Sequence, residues 1–193
     1  MGIQSDRRQL LQLSMLAAAS SILPLASLRA DDAIPADPND PAHAFDLFVG
    51  SWTVKHRQLK ERLAGSQEWI EFGGTQVFVP ILGGLGNADD NFIDKPGNPY
   101  RGFTVRAYDP KTRNWAIWWL DGRFPDAISV PTVGKFENGV GTLYDDEAFN
   151  GKPIKCRFIW SEITATSRKW EQAFSPDGGK TWETNWIAWF TKA

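Results

Sequence analysis

Residues 100–123, YRGFTVRAYDPKTRNWAIWWLDGR, contain the clearest fold signal in the sequence. Apolar and polar side chains alternate over residues 103–108, which is the two-residue period of a β-strand. Residues 109–114, DPKTRN, then combine Asp, Pro and Asn in a way typical of a turn. Residues 115–120 are rich in aromatic and β-branched side chains and form a second strand pattern. The stretch therefore predicts an antiparallel β-hairpin.

The composition favours the same kind of structure throughout. The chain has 193 residues, of which 42% are hydrophobic, and it contains 10 Trp and 12 Phe. Aromatic side chains suit strands and bury a large area each. Asn138-Gly139 supplies the positive φ angles of a second tight hairpin. We predict an all-β fold, an antiparallel up-and-down β-barrel of roughly 8–10 strands. Residues 83–91, GGLGNADDN, are predicted to be a loop.

A family resemblance supports this fold. Gly50-Ser51-Trp52, at the head of the first strand, resembles the G-x-W signature of lipocalin-like (calycin) barrels, in which the Trp closes one end. With FDLFVGSWTVKHRQLKERLAGSQEW (45–69), ILGGLGNADDN (81–91) and WEQAFSPDGGKTWETNW (170–186), the chain resembles an uncharacterised bacterial family of calycin-like domains. The resemblance covers about residues 45–190. It implies a lipocalin/calycin-like barrel but no function, because the family is a domain of unknown function.

The N-terminal region has the layout of an export signal. Residues 1–30 join a positive start to an apolar Leu/Ala/Ser run and end in a small residue, and Arg7-Arg8 resembles the twin-arginine signal. We predict a signal peptide over 1–30, an irregular leader over 31–44 and the barrel domain over 45–193. The protein is then periplasmic or secreted in a bacterium, by a Tat-like or a Sec route, with no stable membrane span after processing. A membrane-retained anchor is the alternative, which Pro24 disfavours.

Several classes of function are disfavoured by what the sequence lacks. The net charge of −2 does not suit nucleic acid, which requires a basic surface. There is no Cys/His cluster and no phosphate-binding or hydrolase motif, so we predict no metal and no cofactor. Haem of the type bound by related barrels needs an axial His, which the closing strands lack. Cys156 lies in an apolar run and is expected to be a small buried hydrophobe.

The first strand supplies the first candidate site residues. If Trp52 faces inward, as the resemblance implies, the two-residue period also turns His56 and Gln58 inward. His56 is then a general base or a hydrogen-bonding partner of a ligand. The alternative is a histidine on the rim or surface, turned outward by a one-residue bulge.

The closing strands supply the other polar candidates. Arg157, Glu171 and Asn185 join His56 as candidate catalytic residues, because paired polar groups in a pocket can perform acid–base chemistry. Cross-strand ion pairs on a solvated face are the alternative. Between these strands, SPDGGKTW (175–182) resembles the Asp box of sialidase-type propellers, but its single copy predicts a turn that fixes the register of the last strand. Which face of that strand lines the interior remains open.

The aromatic residues suggest what the barrel binds. Trp118 and Trp119 are adjacent, so they face opposite sides of the sheet. We predict an exported barrel that binds a small hydrophobic molecule in its interior. The alternatives are an enzyme of the isomerase, cyclase or hydrolase type in the same cavity, and a structural module that forms a homodimer through exposed aromatics. The predicted ligand-binding residues are Trp52, His56, Trp118, Asn185 and Trp186.

Overall fold

Ten antiparallel strands form a closed barrel in the computed structural model, which describes residues 40–193. Each strand pairs with its neighbours in the chain, and β1 also pairs with β10. The strands are β1 (Gly50–Leu59), β2 (Trp69–Ile81), β3 (Gly86–Asp94), β4 (Tyr100–Asp109), β5 (Asn114–Asp121), β6 (Thr132–Glu137), β7 (Val140–Phe149), β8 (Lys152–Ser161), β9 (Ser167–Ser175) and β10 (Glu183–Lys192). The predicted all-β, up-and-down barrel is confirmed.

The predicted export signal and residues 31–39 of the predicted leader lie outside the described residues. The end of that leader, Pro41–His43, forms a 3₁₀ turn. A second 3₁₀ turn, Asp46–Phe48, leads into β1, and a third, Leu82–Gly84, joins β2 to β3. None of the helical turns in residues 40–193 is long and apolar enough to cross a membrane.

The two predicted hairpins have the expected turns. In the β4–β5 turn the Asp109 carboxylate accepts hydrogen bonds from the backbone N–H of Lys111 and the hydroxyl of Thr112, each at 2.9 Å. Between β6 and β7, Asn138 and Gly139 have φ angles of 52° and 76°. These local interactions explain why the hairpins could be predicted from sequence alone.

One end of the barrel is closed by aromatic side chains. Phe45 and Phe48, from the turn before β1, pack beside Trp52 and Trp115 in the largest cluster of buried residues. The indole N–H of Trp52 donates to the carbonyl oxygen of Phe48 at 2.7 Å, and that of Trp115 donates to Pro41 at the same distance. The segment before β1 is thereby fixed as a plug across this end.

The structure corrects the loop predicted over residues 83–91. Residues 86–91 belong to β3, which pairs along its length with β2 and β4. Asn87 and Asp89 point into the barrel and are buried despite being polar. Both side chains form hydrogen bonds with other buried polar groups and not with solvent. The polar composition of the segment was therefore a poor indicator of a loop.

The SPDGGKTW turn sets the geometry of the last strand. The Asp177 carboxylate accepts hydrogen bonds from the hydroxyl and backbone N–H of Thr181, at 2.6 and 2.9 Å, and from the Ser175 hydroxyl at 2.7 Å. These bonds hold the pKa of Asp177 well below its usual range. Immediately afterwards, the β9–β10 register shifts between Thr184 and Trp186. This bulge buries Asn185 and leaves Trp186 facing the interior.

Candidate ligand cavity

A cavity of about 300 Å³ occupies the barrel beyond the aromatic plug. Its mouth lies among side chains from the opposite end of the barrel, including Arg62, Lys95 and Arg123. The Trp119 indole packs directly over Gly102, where a side chain of any other residue would collide with it. A space of this size suits one small organic molecule. The aromatic lining residues are Tyr100, Trp119, Phe158, Trp160, Trp170, Phe174, Trp186 and Phe190.

The charged groups that line the cavity are mainly cationic. The cationic lining residues are Arg62, Lys95, Arg106 and Arg123, and the acidic ones are Asp121 and Glu147. Asp121 and Arg123 form an ion pair with an N–O distance of 2.6 Å. Burial, together with the nearby Asp145 charge, raises the pKa of Glu147 to about 7. The cavity therefore has a positive surplus, although the whole chain has a net charge of −2.

His56 lies in the cavity wall, as the two-residue alternation of β1 predicted. The Trp186 indole N–H donates to His56 Nδ1 at 3.3 Å, and the Phe72 ring stacks on the imidazole at a centroid distance of 5.0 Å. Burial lowers the pKa of His56 to about 4. The imidazole is therefore neutral at pH 7, with its proton on Nε2 because Nδ1 accepts the indole hydrogen bond. It can donate one hydrogen bond to a ligand.

A polar cluster lies between the cavity and the plug. It consists of Gln76, Asn87, Asp89, Asn91, Arg106 and Arg168. Asp89 is central to it, since its carboxylate accepts hydrogen bonds from Arg106, Asn91 and Gln76, the last at 2.8 Å. Arg168 donates to the Gln76 side-chain oxygen. The two arginines are each 2% exposed, and Asp89 is 1% exposed.

The predicted ligand-binding residues are divided between the cavity and its surroundings. His56 and Trp186 both line the cavity and contact each other. Asn185 lies behind the wall and accepts a hydrogen bond at 2.9 Å from Gln172, which does line it. Trp52 is in the plug, where the Arg168 guanidinium lies 3.8 Å from its ring centroid.

Trp118 occupies the opposite face of β5 from the one predicted. It lines a shallow surface depression with Tyr108 and Val133, whereas its neighbour Trp119 lines the cavity. The sequence showed that one of the two must face inward, but it did not show which. The assignment of Trp118 to the cavity wall is therefore corrected to Trp119.

The four candidate catalytic residues do not meet in one place. The Arg157 guanidinium lies 4.5 Å from the ring centroid of Trp182, and Glu171 lies 3.2 Å from the Lys169 ammonium. Neither Arg157 nor Glu171 lines the cavity that contains His56. The strand alternation turns Glu171 away from inward-facing Gln172, and its ion pair with Lys169 lies within β9 and does not cross to a neighbouring strand. A catalytic group built from these residues is therefore not assembled.

Sequence reasoning missed the most heavily charged part of the site. Arg106 and Thr104 both line the cavity, whereas their apolar neighbours Phe103 and Val105 face away from it. The sequence did contain one indication, since Arg106 is the only charged residue on its face of β4. Nothing in the sequence indicated that Asp89 is buried, because the polar stretch that contains it predicts a loop.

In the described part of the chain, three side chains near the cavity are close enough together to be potential metal ligands. Ligand atoms of Asp145, Glu147 and Cys156 lie within 4.8 Å of one another. Asp145 accepts a hydrogen bond from the Thr132 hydroxyl at 2.6 Å. Burial and the neighbouring carboxylates raise the pKa of the Cys156 thiol. Because metal ions bind the thiolate and not the thiol, this environment opposes coordination through Cys156.

Comparison with known proteins agrees with the architecture. No family model and no curated protein matches the chain. Its fold is similar to that of an S-type phycobiliprotein lyase from Guillardia theta, with a TM-score of 0.52 and 12% sequence identity over 77% of this chain and 90% of the lyase. At this identity the similarity concerns the fold alone. The barrel has a lipocalin/calycin-type fold, as the sequence predicted.

Proposed function

We propose that this protein is an exported member of the uncharacterised calycin-like family and that it binds a small, mostly apolar molecule inside its barrel. The observation that carries this proposal is the cavity of about 300 Å³, whose wall includes eight aromatic side chains. A barrel core filled by its own side chains would leave no such space. Burial of an apolar ligand against this wall contributes roughly 25 cal/mol per Å² of apolar surface removed from water.

A few polar groups in the wall can orient the ligand. The His56 Nε2–H is free to donate after Nδ1 has accepted from Trp186. Among residues 40–193, the buried indole N–H of Trp160 has no hydrogen-bond partner. Polar groups set among aromatic side chains are typical of ligand pockets, where they fix the orientation of the ligand. One solved structure of similar fold is that of a phycobiliprotein lyase, and by analogy we propose that this barrel also accommodates a small molecule.

The alternative functions have less support. An enzyme in the same cavity would need converging polar groups, and the four candidates are separated as described above. A homodimer through exposed aromatics would need a broad aromatic surface. None of the Trp side chains in residues 40–193 is among the exposed large hydrophobic residues, and the exposed aromatics are Phe103, Phe124 and Tyr144.

Ligand binding is tested by fluorescence titration with the neutral probe N-phenyl-1-naphthylamine. Thr104 lines the cavity, so Thr104→Phe places a ring inside it. Thr75 is exposed on the outside of β2 and gives the matched control Thr75→Phe. We expect the wild type and Thr75→Phe to bind the probe and Thr104→Phe to lose at least tenfold in affinity. Equal binding by all three proteins would contradict an interior site.

The natural ligand and the export route need separate experiments. Native mass spectrometry of protein purified without detergent is expected to show a retained small molecule that denaturation releases. Export is tested by cell fractionation with the Arg7→Lys/Arg8→Lys variant. Periplasmic accumulation of the wild type, lost in the variant, is the expected result for twin-arginine export. Cytoplasmic retention of the wild type would contradict export.

A further inference from the structure

We infer that the inner end of the cavity binds the carboxylate of an otherwise apolar organic acid, with Arg106 as its counter-ion. This inference rests on the proposed function and specifies the chemical class of its ligand. It begins from the polar cluster, which contains two guanidinium groups and one carboxylate. The cluster therefore has a surplus of one positive charge in a buried place, and buried charges are normally paired.

The positive charge of the two guanidinium groups is also incompletely satisfied by hydrogen bonds. Among residues 40–193, Arg106 Nε has no hydrogen-bond partner, and neither do Arg168 Nε and Nη1. Buried donors without acceptors are rare because each is costly. A carboxylate in the cavity beside the Arg106 guanidinium would neutralise the surplus charge.

The two arginines differ in what they can reach. Arg106 is part of the cavity wall, whereas Arg168 is not. The Arg168 guanidinium lies 3.8 Å from the ring centroid of Trp52 and 4.2 Å from that of Phe48, so aromatic faces cover it. Arg106 is therefore the residue that can contact the ligand. Arg168, on the side of Arg106 that faces the plug, adds to the positive electrostatic potential there.

The surroundings of Arg106 favour an organic acid over an inorganic anion. The Arg106 guanidinium carbon lies 5.7 Å from the ring centroid of Trp160, whose indole N–H is also without a partner in the described chain. Thr104, on the same face of β4, adds a hydroxyl to the cavity wall. Arginine forms charge-assisted, often bidentate hydrogen bonds with carboxylates. The adjoining aromatic wall would then hold the apolar body of the acid.

A pair of probes with the same carbon skeleton tests the inference at pH 7. We expect 2-naphthoate to bind the full-length protein about tenfold more tightly than neutral 2-naphthalenemethanol, since a hydrogen bond to a charged group contributes at least this much. Equal affinities would overturn the carboxylate site and leave the proposed function intact. If neither probe binds, the proposed function fails as well. Sulfate that competes with 2-naphthoate at equal concentration would overturn the assignment to an organic acid.

Variants then locate the site. Arg106→Met should remove the preference for 2-naphthoate while retaining affinity for the neutral alcohol, which also shows that the variant is folded. Lys55→Met, exposed on the outside of β1, is the control and should keep the preference. Loss of the preference in Lys55→Met but not in Arg106→Met would overturn the assignment. If Arg106→Met does not fold, Asp89→Asn replaces it: removing the competing carboxylate should tighten 2-naphthoate binding severalfold, and weaker binding would count against the inference.

Discussion

Burial of the His56 imidazole should make the stability of the barrel depend on pH. In the folded protein burial lowers the pKa of His56 from 6.5 to about 4. The unfolded chain therefore binds a proton at this residue at a pH where the folded chain does not. The resulting stability is fully present above pH 6.5 and is lost as the pH falls through the window from 6.5 to about 4.

The size of the effect follows from these two pKa values. Between pH 7 and pH 5 the free energy of unfolding should fall by about 2 kcal/mol because of His56 alone. The full shift corresponds to about 3 kcal/mol. His56 is only 7% exposed, so screening by solvent reduces its contribution to the free energy of unfolding only a little. His56→Gln removes the titrating group and keeps a side chain that can hydrogen-bond to Trp186.

Urea unfolding at pH 7 and pH 5 measures this contribution. The wild type should lose about 2 kcal/mol more than His56→Gln between the two pH values, because titration of the other groups cancels in the comparison. His43→Gln alters a histidine outside the cavity and should retain the acid loss that His56 causes. An equal loss in the wild type and His56→Gln would show that the imidazole is not buried as described.

Three further predictions concern the plug, the polar cluster and the last turn. Trp52→Ala should lower the free energy of unfolding by about 3–5 kcal/mol in urea titrations, because it removes a ring that is 1% exposed, and a loss below 1 kcal/mol would contradict the plug. Asp89→Ala should lower the free energy of unfolding by about 3–5 kcal/mol, because it leaves a buried guanidinium unpaired. Asp90→Ala, on the same strand but with a side chain that is 48% exposed, should change it little, and similar losses would refute the cluster. Asp177→Ala should speed hydrogen exchange at the Thr181 amide, and unchanged exchange would contradict the role of the carboxylate in this turn.

The sequence predicted the barrel well because local interactions specify most of it. Alternation in residues 103–108, the turn at residues 109–114 and Asn138-Gly139 each act within a few residues. The β3 segment was missed because its polar residues are satisfied only by partners far away in the chain. Asp89 of β3, for example, accepts from Arg106, which is 17 residues away, and Gln76 accepts from Arg168 across 92 residues.

The candidate site was only partly predictable for a related reason. The period of β1 placed His56 inward, since the resemblance fixed the orientation of Trp52. On β4, however, Phe103 and Val105 face out while Thr104 and Arg106 face in, the reverse of the usual apolar-in arrangement. The bulge at Asn185 likewise depends on pairing with β9 and leaves no mark in the local sequence. The orientation of the β4 side chains and that of Asn185 are both set by how the strands pair in the closed barrel.

The most direct test of binding in the interior is an NMR titration of the tryptophan indole N–H signals with neutral naphthalene. The Trp residues that line the cavity are Trp119, Trp160, Trp170 and Trp186. Those outside it include Trp118 and Trp182. Single Trp→Phe variants assign the signals. Saturable shifts of the four cavity signals, with those of Trp118 and Trp182 unchanged, are the predicted result. Shifts confined to Trp118 and Trp182, or no shift at all, would contradict ligand binding inside the barrel.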